Sequence, residues 1–250
     1  MQKLLSRIII VLVFILSVGC SSDEPVPEVT TGNLVGAVTL FDKFQKELPS
    51  KEGVIVEVLM GDNKVSSTTN DKGEFSFNNI AFGKLIINFK KDNYRGFDSL
   101  SYNYTSSTDS LKFIKLVELP PASSTLLDPS FKNGQVAIPI ITEFNSTEWY
   151  LASHWFFFSK SSTVSSSDFK IIRNIGSFGG ETGNAASFSS LIPLQLFRDN
   201  GFVSGDRVYL KLYPGNSMFI SYNKPEDGYT NHLFPTYGNN SSNTVSFILP

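Results

Sequence analysis

The chain has 250 residues, which is room for one large domain or for two ordinary ones of roughly 100 to 200 residues each. Its 21 Lys and Arg residues against 23 Asp and Glu give a formal net charge of −2, so no positive field favours nucleic acid as a partner. Apolar residues make up 41% of the chain, which excludes wholesale disorder, and one cysteine with two histidines leaves little material for thiol or metal chemistry.

The first twenty residues predict an exported protein with a lipid anchor. Lys3 and Arg7 precede the apolar run 8–16, and Cys20 follows shortly after it. That run is shorter than the ~20 residues that span a bilayer and is typical of a signal peptide. The segment resembles the lipobox of bacterial lipoproteins. The resemblance implies cleavage after residues 1–19 and acylation of Cys20 with chains such as palmitate.

The lipobox pattern is imperfect, because Ser17 stands where that family usually has leucine. The alternative is an ordinary secretory signal that contains a cysteine by chance. Asp23 and Glu24 follow in the predicted tether 20–32, and they resemble the acidic signal with which Bacteroidetes export lipoproteins to the outer face. We therefore expect a lipid-anchored protein of the cell outer membrane, exposed at the surface.

Residues 33–118 predict a β-sandwich. Short stretches alternate between apolar and polar residues, which is the period of a strand. Asn70 to Gly73 has the composition of a hairpin turn, in which Gly73 can adopt positive φ. The alternation places these residues on core faces: Val54, Val56, Val58, Phe75, Phe77, Leu85, Ile87 and Phe89.

The order of these stretches resembles the carboxypeptidase regulatory-like domain, a transthyretin-like (prealbumin-like) sandwich common in exported Bacteroidetes proteins. The resemblance covers about a third of the chain and includes a Thr-x-x-Asp-x-Gly-x-Phe stretch that ends at Phe75. It implies a spacer or binding module without catalytic activity. The matching segments are 36–39, 53–56, 67–77, 79–80, 83, 85–87 and 93–94.

A second β-sandwich, immunoglobulin-like or fibronectin-like, is predicted over 131–250, after a Pro- and Ser-containing linker at 119–130. Its clearest strands are 135–142 and 207–213, and Pro193 indicates an edge strand or a bend. The stretches 174–187 and 214–243 are rich in Ser, Asn and Gly and are predicted to be long loops.

The second of these loops contains the candidate ligand-stacking residues Tyr222, Tyr229 and Tyr237. Aromatic rings flanked by polar residues can stack on the apolar face of a sugar. The alternative is that the rings anchor the loop onto the sandwich.

Catalytic and metal sites are not predicted, and no cofactor is expected. The Gly-x-Ser-x-Gly motif of serine hydrolases does not occur. A zinc site at His154 and His232, and a calcium site at Asp62, Asp71 and Glu74, are the metal-binding alternatives. A hydrolase in residues 120–250 is a further alternative, because counting acids does not exclude a pair of catalytic carboxylates. The acids of this segment lie mostly at predicted strand ends and loops, as solvated acids do: Glu143, Glu148, Asp168, Glu181, Asp199, Asp206, Glu226 and Asp227.

Two serines are candidate modification sites. Asp98-Ser99-Leu100 and Asp109-Ser110-Leu111 resemble the Asp-Ser/Thr-apolar sequon at which Bacteroidetes attach O-linked glycans. We expect added glycan at Ser99 or Ser110.

The sequence as a whole predicts a lipid-anchored, all-β surface protein with a non-catalytic binding or structural role. Its partners would be the membrane, through the N-terminal lipid, and a glycan or another surface protein. The alternatives are glycan capture for a nutrient-uptake system, a hydrolase, and a structural part of a fimbria or surface complex.

Overall fold

The structure is a computed structural model. It describes residues 30–250 except 96, 98, 108, 109, 184, 219, 224–230 and 235, and the side chains of 113, 177, 220–223 and 231–234 also lie outside the description. The predicted signal peptide, Cys20 and most of the tether therefore lie outside the described residues. Within the described part of the chain, no helix is long and apolar enough to cross a membrane.

The first half of the described chain forms two four-stranded sheets. One has the order β4-β1-β8-β6 and the other the order β3-β2-β5-β7. All pairings are antiparallel except that between β1 and β8, which is parallel. The strands are β1 (Thr31–Phe41), β2 (Ile55–Met60), β3 (Asn63–Thr68), β4 (Glu74–Ala81), β5 (Gly83–Lys90), β6 (Tyr94–Arg95), β7 (Leu100–Tyr104) and β8 (Ser110–Glu118).

The predicted alternation explains the core of this first sandwich. All eight apolar residues assigned to core faces are buried in one cluster between the two sheets. The turn is also as predicted, because Gly73 has φ +85° and a Cβ there would lie 2.1 Å from the carbonyl oxygen of Val38. Glycine is therefore required at this position both by its backbone conformation and by the close approach of β1.

The second half forms another pair of sheets. In one, β11 pairs with β14 on one side and with both β9 and β10 on the other; the second has the order β13-β12-β15-β18. A separate hairpin joins β16 and β17. The strands are β9 (Ala122–Leu126), β10 (Ser130–Lys132), β11 (Gln135–Phe144), β12 (Tyr150–Ser159), β13 (Ile171–Gly180), β14 (Ala185–Pro193), β15 (Arg207–Asn216), β16 (Ile220–Asn223), β17 (Asn231–Phe234) and β18 (Val245–Ile248).

The core of this second sandwich also follows the predicted alternation. Val136, Ile138 and Ile140 of β11 are fully buried, as are Val208, Leu210 and Leu212 of β15, and all six pack in one cluster. Together the four sheets confirm the all-β fold class and the two sandwiches predicted from the sequence.

Three local expectations differ from the structure. The segment 119–130, predicted as a linker, contributes β9 to the second sandwich. The predicted loop 174–187 is mostly the paired strands β13 and β14, and the predicted loop 214–243 includes the β16–β17 hairpin. Pro193 ends β14 at the edge of its sheet, and the short helix α1 (Leu194–Asp199) begins directly after it and packs Leu194 and Phe197 into the core.

Glycine explains why the sequence predicts residues 174–180 of β13 as a loop. A Cβ at Gly179 would lie 2.1 Å from the Cζ2 atom of Trp149, and one at Gly180 would lie 2.4 Å from the Cδ2 atom of Phe144. Aromatic rings from other parts of the chain thus occupy the space where strand side chains would lie. A glycine-rich strand of this kind has no apolar alternation to reveal it.

Candidate functional site

The two sandwiches are joined through Asn216, which is 1% exposed at the end of β15. Its Nδ2 atom donates to the carbonyl oxygen of Glu118 at 3.1 Å and to that of Lys43 at 3.4 Å, both in the first sandwich. Its Oδ1 atom accepts from the N–H of Met218 at 2.8 Å, and Met218 packs against the core of the first sandwich. One buried amide thus connects the backbones of both halves.

Lys43 reinforces this connection from the β1–β2 loop. Its N–H donates to Oε2 of Glu118 at 3.1 Å, and its Nζ donates to Oγ of Ser146 in the second sandwich, also at 3.1 Å. Gln45 Nε2 donates to Oγ of Ser217 nearby. The junction is therefore held by hydrogen bonds that cross it at several points.

Arg95 and Tyr237 make the cationic contact across the junction. The guanidinium carbon of Arg95 lies 4.6 Å from the centroid of the Tyr237 ring, a cation–π geometry. Tyr237 is 9% exposed and packs edge-on or tilted against the rings of Trp155, Phe157 and Tyr213.

A cleft of about 530 Å³ opens at this junction. Its size is that of a small-molecule site, and domain interfaces are a common location for such sites. The lining combines cations, carboxylates, side-chain amides, a tyrosine and prolines. It consists of Lys43, Lys91, Asp92, Asn93, Tyr94, Arg95, Glu118, Leu119, Pro120, Pro121, Ala122, Pro214, Gly238, Asn239 and Asn240.

The environment of Tyr94 in the cleft keeps its phenol protonated. Partial burial raises the pKa of the Tyr94 phenol above its ordinary value, and the negative charges of Glu118 and Asp42 raise it further. The phenol therefore remains an O–H group that can donate a hydrogen bond to a ligand in the cleft.

A second polar cluster is buried between the sheets of the second sandwich. The Nε2 atom of His154 lies 2.8 Å from Oγ1 of Thr142 and 3.1 Å from Oγ of Ser124. The ring packs against both Phe178 and Phe188, with centroid distances of 3.8 and 5.1 Å, and these two rings also contact each other. Burial lowers the pKa of His154 to about 3, so the ring is neutral at physiological pH. This environment is that of a structural histidine.

The structure describes the residues predicted in the loop 214–243 to different extents. Tyr229 lies outside the described residues. Tyr222 and His232 are paired in register in the β16–β17 hairpin, but their side chains are not described. The position of Tyr237, deep in an aromatic cluster, matches the anchoring interpretation of this ring.

The predicted modification sites lie on the first sandwich. Ser99 is exposed with φ +57°, and its N–H donates to Oδ1 of Asn88 at 2.8 Å. Ser110 is half-buried at the start of β8, opposite Val35. Their preceding aspartates, at 98 and 109, lie outside the described residues.

The proposed metal ligands are also placed in part. Asp62 and Asp71 lie in two different turns, and Glu74 Oε2 accepts a hydrogen bond from Asn70 Nδ2 at 2.9 Å. Among the described residues, no group of three or more His, Cys, Asp or Glu side chains is close enough to hold a metal ion.

Sequence reasoning did not find the cleft. Its lining comes from separate segments around residues 91–95, 118–122 and 238–240, together with Lys43 and Pro214. None of these segments carries a recognisable binding motif. The only local signal was the clustering of prolines at 120–121, which was interpreted as a linker.

Comparison with known proteins found no matching family model and no curated relative. Among solved structures, the chain is similar over 87% of its length to 99% of a candidate carbohydrate-binding protein from Bacteroides uniformis (11% identity, TM-score 0.32). It is similar over 88% to the whole of a DUF3823 family protein from Bacteroides ovatus (7% identity, TM-score 0.32). It is also similar over 87% to 67% of the major pilin SpaD from Corynebacterium diphtheriae (10% identity, TM-score 0.30). Likenesses this distant transfer no function to the chain.

Proposed function

We propose that this protein is a lipid-anchored protein of the outer-membrane surface that captures a glycan in the junction cleft and has no catalytic activity. Cys20 carries the lipid, and the first sandwich is a carboxypeptidase regulatory-like module that holds the second away from the membrane. The observation that carries the proposal is the cleft itself, a cavity of about 530 Å³ between two sandwiches joined by hydrogen bonds.

The lining suits a polyhydroxylated ligand. Sugar hydroxyls donate and accept hydrogen bonds, and the cleft offers both kinds of partner: Asp92 and Glu118 accept, Lys91 and Arg95 donate, and Asn239 can do both. The Tyr94 phenol and the proline rings add apolar surface for the C–H faces of a sugar. The mixture of charges does not single out a strongly anionic or cationic ligand.

The cleft is also preorganised for binding. Glu118 and Lys43 are fixed by hydrogen bonds to each other and to Asn216, so part of the lining is ordered before any ligand arrives. A site that is already ordered loses less conformational entropy on binding.

A binding array of dietary and host glycans, probed with the full-length lipoprotein in detergent, tests the proposal. Asp92→Ala and Asn239→Ala should each lower the signal for the bound glycan class several-fold. Asn103→Ala, an exposed amide on β7 that does not line the cleft, is the matched control and should leave the signal unchanged. A folded wild-type protein that binds no glycan would refute the proposal and shift attention to a protein partner.

Two carboxylates, Asp92 and Glu118, both line the cleft, and such a pair is what glycoside hydrolysis requires. They lie outside residues 120–250, to which the sequence assigned the hydrolase alternative, so hydrolysis here would be at a different site. Release of reducing sugar from a bound glycan, abolished by Asp92→Asn, would establish hydrolysis. Binding without product formation over many hours supports the capture function.

Lipid anchoring and glycosylation are tested together by the intact mass of the protein purified from its own host. The proposal requires diacyl or triacyl mass on a chain that begins at Cys20, and glycan mass that Ser99→Ala or Ser110→Ala reduces. A mass equal to that of the acylated chain alone would remove the glycosylation proposal and leave the anchor intact.

A further inference from the structure

Trp149 is an exposed aromatic side chain directly before β12 of the second sandwich. Its side chain is 57% exposed, whereas the other tryptophan, Trp155, is 8% exposed in the aromatic cluster around Tyr237. Large aromatic side chains usually contribute to folding by being buried, and this one is left mostly in solvent.

The ring of Trp149 is held against the sheet by a glycine. A Cβ at Gly179 would lie 2.1 Å from Cζ2, 2.6 Å from Cε2 and 2.7 Å from Cη2 of the indole. The indole therefore lies against the backbone of β13, where any other residue would push it away. The backbone of β13 thus supports one side of the Trp149 indole, and the rest of the ring is exposed and available to a ligand. This supported, exposed ring is the Trp149 platform.

The platform lies beside the junction. Trp149 ends the β11–β12 loop, and Ser146 of this loop accepts the hydrogen bond from Nζ of Lys43, which lines the cleft. Ser146 Oγ also accepts from the N–H of Glu148 at 3.3 Å, directly before Trp149. The N–H of Thr182 donates to the Ser146 carbonyl at 2.6 Å, so the β13–β14 turn fixes the same loop.

We propose that Trp149 is a carbohydrate-stacking platform outside the cleft, which binds a pyranose ring of the same glycan. The inference rests on the proposed capture function and specifies its ligand as an oligosaccharide that extends from the cleft past Lys43 and Ser146. A pyranose has an apolar C–H face that fits a flat indole and a rim of hydroxyls that needs polar neighbours.

The surroundings of Trp149 favour a sugar over a protein partner. Asn145, Thr147 and Glu148 of the same loop are all exposed, so the indole stands among amide, hydroxyl and carboxylate groups. The centres of protein–protein interfaces are instead depleted of charged residues and combine several apolar side chains. A single ring with a polar rim therefore matches a sugar ring better.

Tryptophan fluorescence provides the test, because the chain has only these two tryptophans. The full-length lipoprotein in detergent is titrated with soluble xylan, partially hydrolysed starch and mucin O-glycans. The bound glycan should shift the emission to shorter wavelength and protect Trp149 from iodide quenching. Trp149→Phe should remove both signals, because the remaining Trp155 is already buried.

Affinity measurements on variants complete the test. Trp149→Ala should weaken binding of the long oligosaccharide about tenfold and should leave short fragments of it unaffected. Gly179→Val keeps the indole but displaces it, and should weaken the long ligand similarly. Phe131→Ala, which truncates another exposed ring on β10, is the matched control and should not change affinity.

The outcomes separate the two proposals. Glycan binding that depends on Asp92 but leaves Trp149 fluorescence and the Trp149→Ala affinity unchanged would overturn the platform and keep the cleft. No binding of any glycan by the folded wild-type chain would overturn both. The melting temperature of each variant, expected to be close to that of the wild type for Trp149→Ala, shows that a loss of affinity is not a loss of folding.

Discussion

The guanidinium group of Arg95, from the first sandwich, lies 4.6 Å over the ring of Tyr237, which is buried in the second. Arg95 also lines the junction cleft, and its guanidinium group covers one face of the tyrosine ring. The buried edges of the ring meet Trp155, Phe157 and Tyr213. The ring of Tyr237 is therefore packed at the junction, and the ligand-stacking role predicted for Tyr222, Tyr229 and Tyr237 stays a prediction.

Replacement of Arg95 by alanine should destabilise the junction. A partly desolvated cation–π contact contributes about 1 kcal/mol, so Arg95→Ala should lower the free energy of unfolding by roughly that amount. Arg95→Lys keeps the charge but loses the planar stack, and it should recover only part of the loss. Urea denaturation measures both, and an unchanged unfolding free energy in Arg95→Ala would show that the contact contributes nothing.

The buried histidine predicts a specific loss of stability in acid. The pKa of His154 is lowered to about 3 in the folded chain, against 6.5 for an unperturbed histidine, so between these values the unfolded chain binds more protons. Stability should therefore fall as the pH decreases through 6.5. The contribution of this one group between pH 7 and pH 5 is about 2 kcal/mol.

The change His154→Phe isolates this effect. Phenylalanine keeps a ring in contact with Phe178 and Phe188, and Ser124 Oγ and Thr142 Oγ1 remain 2.9 Å apart and can bond to each other. Denaturation at pH 7 and pH 5 should show a smaller loss in the variant than in the wild type. Equal losses in the two proteins would mean that His154 is protonated without cost in the folded state.

A comparison of the turn glycines Gly73 and Gly61 distinguishes the energetic cost of backbone strain from that of a steric clash. Both have positive φ, +85° and +59°, but a Cβ at Gly73 meets the carbonyl of Val38, whereas a Cβ at Gly61 meets nothing within 4 Å. Gly61→Ala should cost about 1 kcal/mol from conformation alone, and Gly73→Ala about 2 to 4 kcal/mol. Thermal unfolding of both variants checks the difference, and similar melting temperatures would contradict the assigned clash.

The residues that could be predicted from the sequence are those whose neighbours along the chain determine their environment. Alternation in β11 placed Val136, Ile138 and Ile140 in the core correctly, and the turn at Gly73 followed from local composition. The strand β13 could not be predicted, because its glycines accommodate Trp149 and Phe144 from distant positions. Such packing partners leave no local pattern.

The candidate site was unpredictable for the same reason. The cleft depends on the way β6, the end of β8 and the segment 238–240 meet, and that arrangement depends on contacts such as Asn216 with Glu118, which are 98 positions apart. The exposure of Trp149 is equally invisible in the sequence, where a tryptophan beside a strand is expected to be buried.

Hydrogen–deuterium exchange of the full-length protein, with and without the glycan that the array identifies, tests the central claim most directly. If the cleft holds the ligand, backbone amides in 91–95 and 238–240, and those of Glu118, Leu119 and Ala122, should exchange more slowly in the complex. Asp92→Ala should reduce this protection. Protection confined to the β16–β17 hairpin, with the cleft segments unchanged, would contradict the account and place the ligand on the loop that carries Tyr222 and Tyr229.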